Sequence, residues 1–242
     1  MVGVSVRRLI WTVLKIAALA LVVLSLGYVA ISIPRLEAMP QVIHAELRAR
    51  GETWVPLARI PRIMKRAIVA TEDQGFWTNW GISPEGIGRA VLVDLARGKP
   101  VQGGSTITQE LVRDVLLSKD KTITRKVKEV LLALAITRLD SKKEILTMYL
   151  NEVYFGNGAY GINAASEIYF GRPPTELTAS QATLLAGLPQ APSAYDPLSH
   201  PRLARARQRQ VLAAMVSAGD ITSAEAEAIQ GEPWSLLSMP TG

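Results

Sequence analysis

"GGSTITQELVRD", residues 103–114, is the stretch on which the fold turns. Two glycines free the backbone, and Ser105 and Thr106 then stand before an apolar-periodic run. Thr106 with Gln109 fits a capping box, in which each side chain satisfies a backbone amide of the other. The same S/T-x-x-E/Q pattern recurs at Ser141 with Glu144 and at Thr178 with Gln181. One match is a weak signal; three, each leading into an apolar-periodic run, predict a helical domain. Loose amides at the positive end of a helix also make an anion-binding arrangement. A glycine-rich turn with an ordinary cap accounts for the same letters. Gln109 and Arg113, four apart, face the same way.

Worked outward from there, the pattern is helical from Ile60 almost to the end. Helices are predicted over about 61–73, 84–97, 106–117, 121–139, 142–151, 161–169, 178–188 and 201–218. Ser83-Pro84 reads as an N-cap followed by Pro at the first helical position, with Gly98 closing that segment. No alternating strand run and no internal repeat is visible. Residues 9–33 are apolar apart from Lys15 and a few small polar residues, and Ile16–Ile33 is long enough to cross a bilayer. A cleaved signal peptide would have a shorter apolar region and a small-x-small site. Arg7, Arg8 and Lys15 place the N-terminus in the cytoplasm. The expected organisation is therefore 1–8 cytoplasmic, 9–33 transmembrane anchor, 34–58 membrane-proximal linker with Pro34, Pro40 and Pro56, 59–221 catalytic domain, and 222–242 tail.

The anchor explains the hydrophobic content of 48% and a mean hydropathy of +0.18. The absence of cysteine excludes disulfides and thiolate metal sites. A net charge of +6 suggests an anionic partner: lipid headgroups, nucleic acid or a phosphate-bearing substrate. The anchor favours the first and third. Two sequence matches fail their context. "GNGAYG", 156–161, has the letters of a dinucleotide loop but follows a helix rather than a strand. "SKDK", 118–121, matches S-x-x-K, yet neither S-D-N nor K-T-G follows, and the remaining chain is short for a transpeptidase domain. Two histidines, His44 and His200, leave little for a histidine-based site.

"ATEDQGFWTNWG", 70–81, holds the adjacent acids Glu72 and Asp73. Glu72 lies four residues after Ile68 and eight after Met64, at the edge of an apolar face. A carboxylate there is partly desolvated, which moves its pKa toward that of a general base. Read alone, the stretch favours an exposed terminal acid over an active site. In "KTITRKVKEVL", 121–131, Lys121, Arg125, Lys128 and Glu129 follow i, i+4, i+7, i+8. A solvated basic face is the plain reading of such a run, although Leu132, Ile136 and Leu139 continue on related positions. Together these elements suit displacement of a diphosphate from a sugar. The departing anion needs cations, and the attacking hydroxyl needs one base. Glu72 is the candidate base, with Arg113, Lys121, Arg125 and Lys128 as the diphosphate cradle.

From about Ile60 to Ile221 the sequence resembles the peptidoglycan glycosyltransferases (glycosyltransferase family 51) in their monofunctional, membrane-anchored form. The matching stretches are "ATEDQGFWTNWG", "GGSTITQELVRD", "RKVKEVLLALAITR", "KKEILTMYLNEVYFGNGAYGINAASEIYFG" and "LLAGLPQAPSAYDP", in that order. The resemblance implies a mainly α fold, with a lysozyme-like head and a smaller membrane-associated jaw behind one N-terminal transmembrane helix. It implies polymerisation of lipid II into β-1,4 glycan strands, with inversion and release of undecaprenyl diphosphate. Lipid II, the nascent strand and membrane lipid are the implied partners, with cell-wall synthesis or division proteins beside them and no nucleic acid. No organic cofactor is implied; a divalent cation, Mg²⁺ or Mn²⁺, assists some members. By position, Glu72 is the general base, Asp73 its support and Glu129 a second essential acid. Ser105, Thr106 and Gln109 match the donor-side motif, with Arg113, Lys121, Arg125 and Lys128 as its cations. Phe76 and Arg89 fall toward the acceptor end of the cleft, and Asn79 is a further substrate-binding position.

The sequence departs from the family at Asn79 (usually His), Ser83 (frequently Asp), Glu110 (usually Gln), Arg113 (usually Lys) and Asp114 (usually Asn). Lys121 stands where Arg is common. Glu110 and Asp114 would weaken a diphosphate site if they faced inward. An attenuated or inactive homologue serving as a membrane-bound scaffold is therefore the alternative reading. A lytic enzyme on the related fold is a third.

Overall fold

The computed structural model describes residues 2–86, 88, 104–118, 120 and 122–237, with the backbone alone for 2–6. Arg89, Lys121 and most of the helix expected over 84–97 lie outside the described residues. The start of that helix is visible: Ser83 Oγ accepts from the Gly86 amide at 2.9 Å, as an N-cap does. The helices are α1 (Val2–Glu37), α2 (Met39–Ala49), α3 (Arg62–Glu72), α4 (Ile107–Leu116), α5 (Ile123–Leu139), α6 (Lys142–Glu152), α7 (Gly161–Phe170), α8 (Ala179–Gly187), α9 (Pro201–Ser217) and α10 (Ser223–Gly231). A short hairpin, β1 (Tyr154–Gly156) and β2 (Ala159–Tyr160), sits between α6 and α7.

The three expected capping boxes form at the starts of α4, α6 and α8. A fourth, Thr222 with Glu225, starts α10. "GNGAYG" is the hairpin: Asn157 and Gly158 both have positive φ, as a two-residue hairpin turn requires. The chain therefore does contain strand, too short for an alternating pattern to register.

From Arg7 to Glu37, α1 is long and apolar enough to cross a membrane. From Arg7 to Ile31 its side chains are exposed apart from half-buried Ser25, Tyr28 and Val29, whereas Ser32 and Leu36 are buried. Its C-terminal part packs on α5, where Lys128 Nζ lies 5.6 Å from the centre of the Tyr28 ring. Behind it, α3, α8 and α9 pack on one another, as do α4 with α5 and α6. α3 buries Met64, Ala67, Ile68, Val69 and Ala70. A Met or Ile so placed contributes roughly 1.5–3 kcal/mol by leaving water.

Two expected boundaries are corrected. Residues 34–58 are not an open linker. α1 continues through Pro34, and α2 buries Met39, Ile43 and Leu47, one apolar stripe at i, i+4, i+8. The prolines mislead because Pro40 falls in the first turn, where no amide is needed. The folded part does not stop at 221, although residues 233–237 are irregular, as expected of the tail from Gly231. α10 follows Thr222, and beyond it Trp234 is buried, with its Nε1 donating to Gln208 Oε1 at 3.0 Å.

Candidate active site

Glu72 ends α3, and a cleft of about 690 Å³ begins there. One wall carries Glu72, Asp73 and Asn79; the other carries Ser105 and Thr106 at the head of α4. The Glu72 carboxylate lies 3.3 Å from Arg207 Nη2 of α9, and both side chains are nearly out of water. Arg207 is fixed by donating to the Gly187 carbonyl and to Gln210 Oε1, each at 3.1 Å. Burial raises the proton affinity of Glu72, and the Arg207 charge opposes it. The arrangement is a carboxylate held mostly dry beside a single cation, as a general base would need.

Asp73 is buried and joins two helices. It accepts both Asn79 Nδ2 contacts, at 2.9 and 3.1 Å, and the Ile107 amide of α4 at 3.3 Å. Burial pushes its pKa up against the Asn79 and Ile107 bonds and the Lys142 charge. Asn79 Oδ1 accepts from Lys142 Nζ at 2.8 Å and from the Gly81 amide at 3.0 Å. Lys142 Nζ also sits 4.8 Å over the Phe76 ring. Phe76 is wholly buried, so it supports the wall from beneath rather than meeting a ligand directly. Gly81 has φ +90°, and a Cβ there would lie 2.3 Å from the Ala133 carbonyl, so the turn closes against α5 only as glycine.

On the facing wall, Thr106 Oγ1 donates to the Gly81 carbonyl at 2.6 Å and accepts from the Gln109 amide at 3.1 Å. Gln109 is fully buried, with Oε1 spent on the cap and Nε2 without a partner among the described residues. Ser105 Oγ accepts from Lys126 Nζ at 3.0 Å. Lys126 also pairs with Glu129, whose other oxygen takes Arg125 Nη1 at 2.6 Å. Lys128 points the other way, toward Tyr28. Arg113 forks onto Asp114 at 2.7 and 3.1 Å, so Asp114 is matched by its own neighbour. Glu110 does face inward, with Tyr149 O–H donating to its Oε2 at 3.1 Å.

A resident divalent cation does not fit the described residues. They contain no group of three His, Asp or Glu able to hold one, and both Glu129 oxygens already meet cations.

Three residues of this site escaped the sequence reading. Lys142 is a cation in the first turn of a helix, where the dipole disfavours it; that misplacement was the available signal. Arg207 falls on the apolar face of α9 with Ala204, Val211 and Met215, a charge where none is expected. Lys126 lies off the row of Lys121, Arg125, Lys128 and Glu129, so that spacing gives no signal for it.

Two desolvated carboxylates on one wall facing a cation-flanked helix start make this a candidate group-transfer site. The Transglycosylase family profile matches residues 40–216. Penicillin-binding protein 1A of Aquifex aeolicus is 45% identical over 183 residues, 76% of this chain and 25% of that protein. Penicillin-binding protein 1A of Escherichia coli is 46% identical over 168 residues, 69% of this chain and 20% of that one. A Cupriavidus necator chain named as a candidate transglycosylase is 41% identical over 204 residues, 84% of this chain and 85% of its own. The crystal structure of penicillin-binding protein 1A from Haemophilus influenzae aligns with a TM-score of 0.47 at 25% identity, over 78% of this chain and 18% of that one. The chain thus spans about a quarter of the length of the Aquifex relative. The chain belongs to the transglycosylase family, the peptidoglycan glycosyltransferases.

Proposed function

We propose that the protein polymerises lipid II into β-1,4 glycan strands. The observation that carries this reading is Glu72: a base with raised proton affinity, held by Arg207, on a cleft whose far wall starts a helix beside cations. The acceptor sugar's 4-hydroxyl gives its proton to Glu72. Its oxygen attacks the anomeric carbon of the lipid-linked strand, and the C–O bond to the diphosphate breaks. The diphosphate leaves with that electron pair, toward Ser105, the α4 amides, Lys126 and Arg125. Attack opposite the leaving group inverts the anomeric centre. No organic cofactor takes part, and Mg²⁺ or Mn²⁺ would act as a companion of the diphosphate.

The anchor suits this substrate, since both the donor and the enzyme are then confined to one membrane. Arg7, Arg8 and Lys15 orient the N-terminus to the cytoplasm, so the domain faces the outer side of the inner membrane and serves wall growth and cell shape there. The scaffold reading keeps only Glu110, which faces inward, because Asn79 is a fully bonded hub and Asp114 is matched by Arg113. A lytic reading would give the cations beside Ser105 no anionic group of the substrate to meet. The test is incubation of the detergent-solubilised chain with labelled lipid II. Glycan strands are expected from wild type and none from Glu72→Gln; an inert wild type across metals and detergents overturns the reading.

A further inference from the structure

Two hydrogen bonds tie the walls of the cleft together, and Asn79 holds the near end of both. Asp73 Oδ2 takes the Ile107 amide at 3.3 Å, and the Gly81 carbonyl takes Thr106 Oγ1 at 2.6 Å. Asn79 donates to Asp73 and accepts from the Gly81 amide, so one side chain joins the two ties. Its partners fix its orientation. Nδ2 faces an acid, and Oδ1 faces two donors, the Gly81 amide and Lys142 Nζ at 2.8 Å.

Asp73 is a buried acid, and among the described residues no cation pairs with it directly. A charge taken out of water without a partner is costly. Lys142 is in the matching position. Among the described residues it forms no ion pair. It stands in the first turn of α6, where the helix dipole opposes a cation, with its Nζ 4.8 Å over the Phe76 ring. A single amide separates these two charges, its oxygen toward the lysine and its N–H groups toward the acid. Hydrogen bonds in series polarise one another in that sense.

We propose that Lys142 is a positioning residue: through the Asn79 amide its charge holds Asp73, and with it the Glu72 end of α3 and the head of α4, at their working separation. Lys142 and Asp73 are then an ion pair with an amide between them. The inference rests on the polymerase reading, and it gives Lys142 no contact with substrate.

The first test is lipid II polymerisation by variants of the full-length chain in detergent. Lys142→Met should lower kcat about tenfold and leave KM near wild type, because a misplaced base costs rate rather than binding. Lys142→Arg should restore most of that rate. Lys142→Gln, which still has a donor for Asn79 but no charge, should not. Full activity of Lys142→Gln overturns the proposal. So does a loss confined to KM, or Lys142→Arg no better than Lys142→Met.

The second test is a double-mutant cycle with Asn79→Ala. If Lys142 acts through the amide, Lys142→Met should cost far less rate in the Asn79→Ala background than in wild type. Equal losses in the two backgrounds overturn the relay. The same cycle read in chemical-denaturation midpoints needs no activity. There Lys142→Met should lower the midpoint of wild type and barely move that of Asn79→Ala; additive shifts overturn the relay. If the stability cycle is coupled and no chain polymerises, wild type included, the polymerase reading falls while the relay from Lys142 to Asp73 stands.

Discussion

Asn79 is the residue at which resemblance and structure part most clearly. A neutral histidine has one donor and one acceptor. Asn79 donates to both Asp73 oxygens while accepting from Lys142 and Gly81. No imidazole reproduces that set, so the wall is built around the amide. Asn79→His is expected to give no gain in polymerisation rate, and a several-fold rise in turnover would reverse that view. Asn79→Ala should cost about 1–3 kcal/mol by chemical denaturation, since it leaves Asp73 buried with fewer donors. Little of this was legible in the sequence. Glu72 and Asp73 could be singled out because a helical apolar face ends at them. Their partners could not: Arg207 lies 135 residues from Glu72, and Lys142 lies 63 from Asn79. Such contacts are fixed by packing between helices, and no local spacing encodes them.

Elements were far more readable than contacts, for a physical reason. A capping box closes within four residues, so Thr106, Ser141 and Thr178 announce the helices they start. α2 was hidden because its prolines fall where helices tolerate them, and α10 because its box at Thr222 precedes an alanine-rich helix that buries little besides Ile229. Thr106 carries more than a cap. Thr106→Ala frees the α4 amide and also strands the Gly81 carbonyl. A loss of about 1–3 kcal/mol is expected, together with weaker polymerisation, because both walls of the cleft are tied there. Ser141→Ala removes a cap far more exposed to water and should cost only about 1 kcal/mol. Melting midpoints of the two variants side by side check the contrast.

At the scale of the molecule, the chain closes on itself at its end. Trp234 lies under Arg205, 3.8 Å from the guanidinium, and its ring nitrogen binds Gln208, which also holds Ser180 and Thr183. Trp234→Ala should cost about 3–5 kcal/mol by thermal or chemical melting, with the rest of the chain present. Acidity acts on the whole molecule too. Burial lifts Glu152 to about 7, with the Glu46 charge adding to it and Arg50 opposing. A raised acid favours the fold at low pH and loses that contribution as pH climbs through 7. Glu152→Gln should therefore flatten the decline in melting midpoint across neutral pH; an unchanged decline would mean that Glu152 is solvated.

The joint between α1 and the domain has a mechanical consequence. One unbroken helix carries an apolar span at one end and a core residue, Leu36, at the other. Lys128 over Tyr28 clamps it again on the near side of Pro34. The span has no swivel, so a bilayer that tilts it must swing the cleft through the same arc. Membrane thickness then sets the angle at which the cleft meets the membrane plane.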